Sequence, residues 1–93
     1  MKLEWSDIAK DDIDRLYSFI YDVNPDAADN ALSLIFEEAN RLIANPHIGR
    51  VKGDNKSMRE WLFRFGKRGY IINYKLYENP VLITRIWHAR ENR

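Results

Sequence analysis

Three strand-like runs follow one another at the C-terminal end with almost no chain between them. This meander limits the possible folds more than any other stretch. Met58 to Phe65, Tyr70 to Tyr77 and Val81 to His88 are rich in aromatic and β-branched residues. Gly66-Lys67-Arg68-Gly69 joins the first two, and Glu78-Asn79-Pro80 joins the last two. Connectors this short, built from turn formers, require neighbouring strands to run antiparallel. In the first run Arg59, Trp61, Phe63 and Phe65 share one side, against Glu60, Leu62 and Arg64. In the second, Tyr70, Ile72, Tyr74 and Leu76 oppose Ile71, Asn73, Lys75 and Tyr77. The third has no clean alternation. Val81, Ile83, Arg85 and Trp87 interleave with Leu82, Thr84, Ile86 and His88, as in a strand covered partly on both faces.

A sheet with an apolar side needs a cover, and the upstream half supplies one. Lys2 to Trp5 reads as a short strand that joins the later sheet. Ser6 is a helix N-cap, followed by Asp7 at the positive end of the helix dipole. Ala9, Ile13, Leu16, Ile20 and Val23 then recur at helical spacing, with Lys10, Asp11, Asp14, Arg15 and Ser18 largely opposite. Asp22-Val23-Asn24 breaks this helix. Asn24 caps the next, with Pro25 in its first position and Asp26 in its first turn. Ala28, Ala31, Leu32, Ile35, Ala39 and Leu42 form the second apolar stripe, until Asn45-Pro46 ends the helix. His47 to Ser57 is polar and without apolar periodicity, so a functional or mobile loop is expected there. The tail from Ala89 to Arg93 is polar and is expected to fray. The predicted fold class is α+β: an N-terminal strand, an antiparallel helical hairpin, then a three-stranded antiparallel meander. At 93 residues the chain is expected to form a single domain over 1–93.

Charge divides along the same line as structure. Residues 1–44 carry four Lys/Arg against ten Asp/Glu, a net −6, whereas residues 45–93 carry eleven against four, a net +7. The basic sheet half therefore suits an anionic partner, although segregated charge can also simply be solvated. There is no cysteine, which excludes a disulfide framework and a thiolate metal site and is compatible with the cytosol. No apolar run approaches the ~20 residues of a membrane span, and no apolar segment of a signal peptide follows Met1-Lys2-Leu3-Glu4-Trp5.

Several motifs together give the chain a family likeness. They are Asn45-Pro46-His47-Ile48-Gly49-Arg50, Arg59 at the opening of the meander, Tyr70-Ile71-Ile72-Asn73-Tyr74, and Ile83-Thr84-Arg85-Ile86-Trp87-His88-Ala89-Arg90. With the element order, these resemble the ParE/RelE superfamily of toxins from type II toxin–antitoxin modules over essentially the whole chain. The Pro-x-Ile-Gly-Arg turn and the later Arg-Ile-x-His-Ala-Arg segment point to the ParE-like branch. The resemblance implies a cytoplasmic toxin held inactive in a hetero-oligomer with a co-expressed antitoxin. ParE-like members are associated with inhibition of DNA gyrase, and RelE-like members cleave mRNA on the ribosome. RelE-like active sites commonly use a Lys/Arg cluster with a C-terminal Tyr, or a Glu, an Arg and a terminal His-Tyr. Here Ala89 follows His88 and no tyrosine follows Tyr77, which favours the ParE reading.

Two site readings stay open. As a ribonuclease, the chain would use His88 for proton transfer, with Arg59, Arg64 and Arg85 holding the phosphate and Glu60 as a possible base. As a binding protein, it would present Arg50, Arg59, Arg85, Trp87, His88 and Arg90 to an antitoxin or a target. Each residue also has a plain structural role available. His88 can make a structural hydrogen bond at a strand end, Arg59 and Arg85 can pair with carboxylates, and Trp87 can pack against the first helix. Trp61, Phe63, Phe65, Tyr70 and Tyr74 read as core rather than as a base-stacking platform. His47 and His88 have no flanking ligand pattern, and Gly49 and Gly53 lack phosphate-loop spacing. No metal or other cofactor is expected. A third option is a degenerate module that keeps only its antitoxin contacts.

Overall fold

The computed structural model describes residues 2–77 and 79–91. Met1, Glu78 of the expected turn, and Asn92 and Arg93 of the expected tail lie outside the described residues. The expected α+β order is present: β1 (Leu3–Trp5), α1 (Asp7–Val23), α2 (Pro25–Ala44), β2 (Arg50–Lys52), β3 (Asn55–Phe65), β4 (Arg68–Leu76) and β5 (Val81–His88). The strands form one sheet in the order β1-β5-β4-β3-β2. All neighbours are antiparallel except β1, which lies parallel to β5 with Leu3 opposite Val81.

The caps work as the sequence predicts. Ser6 Oγ accepts from Ala9 N at 3.0 Å, and Asn24 Oδ1 accepts from Ala27 N at 3.1 Å, with Pro25 in the first turn of α2. The β3–β4 connector is tighter than expected. Phe65 pairs with Arg68, leaving only Gly66-Lys67 as the turn, with Gly66 at φ +60°. A positive φ at the first turn position costs glycine little and matches the twist of the flanking strands.

Two expectations are corrected. The connector from His47 to Ser57 is not a loop: it holds β2 and the opening of β3, which meet at a turn containing Gly53 at φ +66°. Backbone pairing rather than apolar side chains holds this hairpin tip, so its sequence shows no periodicity. Val23 does not belong to the buried stripe of α1; it is 80% exposed in the last turn, where the chain leaves for α2.

The core lies between the helices and one face of the sheet. It unites Ala9, Leu16, Ile35, Ala39 and Leu42 with Phe63, Tyr70, Ile72, Tyr74, Val81, Ile83 and Ile86. Each fully buried aliphatic of the last group contributes about 1.5–3 kcal/mol in transfer terms. The mixed alternation of β5 also has a physical cause. Asn73 pairs with Arg85 but Tyr74 pairs with Ile83, so Thr84 is an extra residue. This bulge moves the inward set from odd positions, Val81 and Ile83, to an even one, Ile86.

Candidate functional site

One end of the sheet is built around the turn after α2. Tyr74 is fully buried, and its hydroxyl donates to Pro46 O at 2.8 Å while accepting from Gly49 N at 2.8 Å. Burial raises the Tyr74 hydroxyl above the usual tyrosine range, despite the Gly49 N–H and nearby Arg59. Arg59 Nη1 donates to His47 O at 3.2 Å and Gly49 O at 2.8 Å. Gly49 has no room for a side chain, since a Cβ would lie 2.4 Å from the Tyr74 hydroxyl and 2.8 Å from Glu60 O. Arg50, one residue on, points outward and pairs with Glu60.

The other end is organised by Asp12, which is 3% exposed. β1 pairs with β5 only as far as Ile83, so β5 has a free edge beyond that point. Helix α1 fills it. Ser6 Oγ donates to Thr84 O at 2.9 Å, and Asp12 accepts from Ile86 N at 2.9 Å. Arg85 donates to the same carboxylate through Nε at 2.8 Å and Nη2 at 3.1 Å, and Arg15 through Nη2 at 3.1 Å. Burial alone would raise the Asp12 carboxyl, but the hydrogen bonds from Arg85, Ile86 and Arg15 outweigh it and hold the group below its ordinary value. Asp12 raises the already high pKa of Arg85 further.

His88 faces the helices, edge-on to Tyr70 with ring centroids 5.3 Å apart. Its Nδ1 accepts from Arg90 N at 3.1 Å, which places the proton on Nε2. Nε2 is buried without a hydrogen-bond partner among the described residues. Burial and the nearby Arg68 push the imidazole below its usual value, with Glu91 opposing. The tail does not fray through Glu91: Ala89 N bonds Gly69 O at 2.8 Å, and Glu91 pairs with Arg15.

On the face away from the helices, Leu62, Ile71 and Trp87 are directly opposite one another across three strands. Leu62 is 61% exposed. Arg85 stacks over the Trp87 ring, 4.0 Å from its centroid. With its amide oxygen turned toward them, Asn73 accepts from Trp87 Nε1 at 3.1 Å and Lys52 Nζ at 3.2 Å. Beside this row a depression of about 460 Å³ is bordered by Ile48, Arg50, Glu60, Leu62, Ile71 and Ala89. The fold thus presents an apolar row with basic flanks, a surface suited to a protein partner.

The profile of the family described as "ParE toxin of type II toxin-antitoxin system, parDE" matches residues 3–93. The chain belongs to the ParE toxin family. It is 38% identical to "Toxin RelE3" of Caulobacter vibrioides over 85 residues, covering 91% of this chain and 90% of that protein. It is 35% identical to "Toxin RelE1" of the same organism, covering 91% and 89%. The solved structure "Chromosomal ParDE TA system from P. aeruginosa" superposes with a TM-score of 0.75, covering 95% of each chain at 23% identity, a likeness of fold. This ParE-family chain is therefore a type II toxin, and toxins of this class have an antitoxin partner.

The candidate residues fall into separate groups. Arg85 and Trp87 stack together, His88 and Arg90 share the C-terminal turn, and Arg50 and Arg59 sit at the far turn. Arg59 pairs with Tyr74 and His88 with Tyr70, four residues apart along β4, or about 13 Å. Arg64 is exposed on the outer face, opposite the side that His88 occupies. Sequence reasoning overlooked Asp12. Its spacing from Ala9 and Leu16 places an acid in the apolar stripe of α1, which is the signal that could have found it. No group of three or more potential metal ligands occurs among the described residues, and no helix is long and apolar enough to cross a membrane.

Proposed function

We propose that this ParE-family toxin arrests growth in the cytoplasm by binding DNA gyrase through the outer face of its sheet. The supporting observation is the dispersal of its candidate catalytic groups. Arg59 is engaged by backbone carbonyls and Arg85 by Asp12, while Arg64 and His88 lie on opposite faces. General acid–base cleavage needs these groups within hydrogen-bond reach of one phosphate. In this reading the exposed Leu62 and the half-buried Trp87 form the apolar centre of the contact, with the buried Ile71 packed between them. Arg50 and Arg64 lie at its rim, and Arg59 and Arg85 act as positioning residues.

The test is a pair of assays on one purified preparation. Gyrase supercoiling is expected to be inhibited, and Leu62→Glu is expected to weaken inhibition by at least about tenfold, as for an apolar anchor. Leu62 is largely exposed, so the fold tolerates the change. Two similar proteins carry the name RelE, so the second assay follows mRNA on stalled ribosomes. Ribosome-dependent cleavage with supercoiling unaffected would replace the gyrase reading with the nuclease one.

A further inference from the structure

We propose that Asn73 is a positioning residue for the target contact: its side-chain amide, together with the bulge it flanks, holds the Trp87 indole in one orientation on the outer face. The assignment rests on the gyrase-binding reading and specifies how the aromatic anchor of that contact is set. Asn73 lies in the middle of β4 and is 4% exposed, between the fully buried Ile72 and Tyr74. A polar side chain in such a place costs stability unless its hydrogen bonds are met, and an aliphatic one of similar size carries no such demand. Two donors of the outer face meet it, Trp87 Nε1 at 3.1 Å and Lys52 Nζ at 3.2 Å. Trp87 comes from the neighbouring β5, whereas Lys52 reaches over from β2 across β3. One buried oxygen therefore ties the indole to the far side of the sheet.

The backbone of the same residue fixes the bulge. Asn73 pairs with Arg85 and Tyr74 with Ile83, and the Asn73 carbonyl accepts from Thr84 Oγ1 at 3.1 Å. In an unbroken strand Arg85 and Trp87 would face the helices with Val81 and Ile83; the extra residue turns both outward. Arg85 then covers one face of the indole, 4.0 Å from its centroid, and is itself held by Asp12 through Nε at 2.8 Å and Nη2 at 3.1 Å. The ring is thus fixed at its N–H edge by Asn73 and on one face by Arg85. A side chain immobilised before its partner arrives loses less entropy on binding. For one large side chain this preorganisation corresponds to about two- to tenfold in affinity.

The experiment measures the affinity of purified DNA gyrase for wild-type toxin, Asn73→Leu, Asn73→Asp, Trp87→Ala and the Asn73→Leu/Trp87→Ala double variant. The indole N–H resonances of the free toxins are followed by NMR, the Trp87 signal being the one lost in Trp87→Ala. Asn73→Leu removes the acceptor. It is expected to shift the Trp87 N–H signal, to speed its exchange with water and to weaken gyrase binding about two- to tenfold. The Trp61 signal should stay in place, because Trp61 Nε1 bonds Glu38 on the helix side. Asn73→Asp keeps an oxygen in the same position and should recover most of both effects. With Trp87 already truncated, Asn73→Leu should weaken binding no further, a coupling that a general loss of stability does not produce. Asn73→Ala takes the place of Asn73→Leu in the same comparison if leucine prevents folding. Wild-type toxin that does not bind gyrase overturns the proposed function. Gyrase binding that is unchanged by loss of the Asn73 acceptor, or weakened equally with and without Trp87, overturns this assignment alone.

Discussion

At the scale of single residues, the motif that carries the family likeness is a packing device. Gly49 is required because the backbone passes against the Tyr74 hydroxyl, and the hydroxyl in turn holds both Pro46 O and Gly49 N. Gly49→Ala forces a contact that neither the ring nor the Glu60 carbonyl can relieve cheaply, and it should cost about 1–3 kcal/mol. Urea unfolding of Gly49→Ala, Tyr74→Phe and the double variant measures this. Because both act on one contact, the two costs should sum to more than the double variant loses. Strict additivity would mean that the clash is relieved elsewhere.

Among the elements, α1 does a strand's work. Past Ile83 the edge of β5 has no neighbouring strand, and the Asp12 carboxylate takes the Ile86 N–H that a strand would have taken. Free edges invite pairing with other chains, so this covering also protects the sheet. Asp12→Ala would strand the Ile86 N–H and leave Arg85 without its counter-ion. Part of the Arg85 side chain remains in contact with solvent, which moderates the loss to about 2–4 kcal/mol. A shift in the unfolding midpoint of less than the equivalent of about 1 kcal/mol would contradict the role given to Asp12. The same element explains why β5 could not be phased from sequence: a one-residue bulge reverses the two faces partway along the strand.

For the whole molecule, the charge division between helical and sheet halves is partly spent inside the fold. Arg85 of the basic half binds Asp12 of the acidic half, and Trp61 Nε1 reaches Glu38 of α2 at 2.8 Å. Arg64, by contrast, is exposed on the outer face of the sheet, at the rim of the proposed contact. The fold also imposes a pH dependence. His88 is held below its ordinary value, so between that value and the folded one the unfolded chain binds more protons. Stability is full above about pH 6.5 and falls as pH drops through this window. The depressed Asp12 carboxyl adds a second contribution of the same sign, present above about pH 4 and lost as pH falls through its folded value. Urea midpoints should therefore decline from about pH 7 to 5.5, and His88→Gln should flatten that segment while leaving the lower one. A wild-type midpoint constant across this range would refute the burial argument for His88.

By itself the sequence determined the strand–helix–helix–meander order, both helix caps, the antiparallel pairing of β3, β4 and β5, and the inward faces of β3 and β4. These follow from local periodicity and turn chemistry, which neighbouring residues settle among themselves. Only the tertiary structure decided that β1 would run parallel to β5, that the polar stretch after α2 would add β2, and that Thr84 would be the bulge. It also decided that Arg59 is occupied by the carbonyls of His47 and Gly49, and Arg85 by Asp12. Those outcomes depend on residues far apart in the chain, such as Asp12 with Arg85 and Gly49 with Tyr74, and no local pattern encodes their meeting.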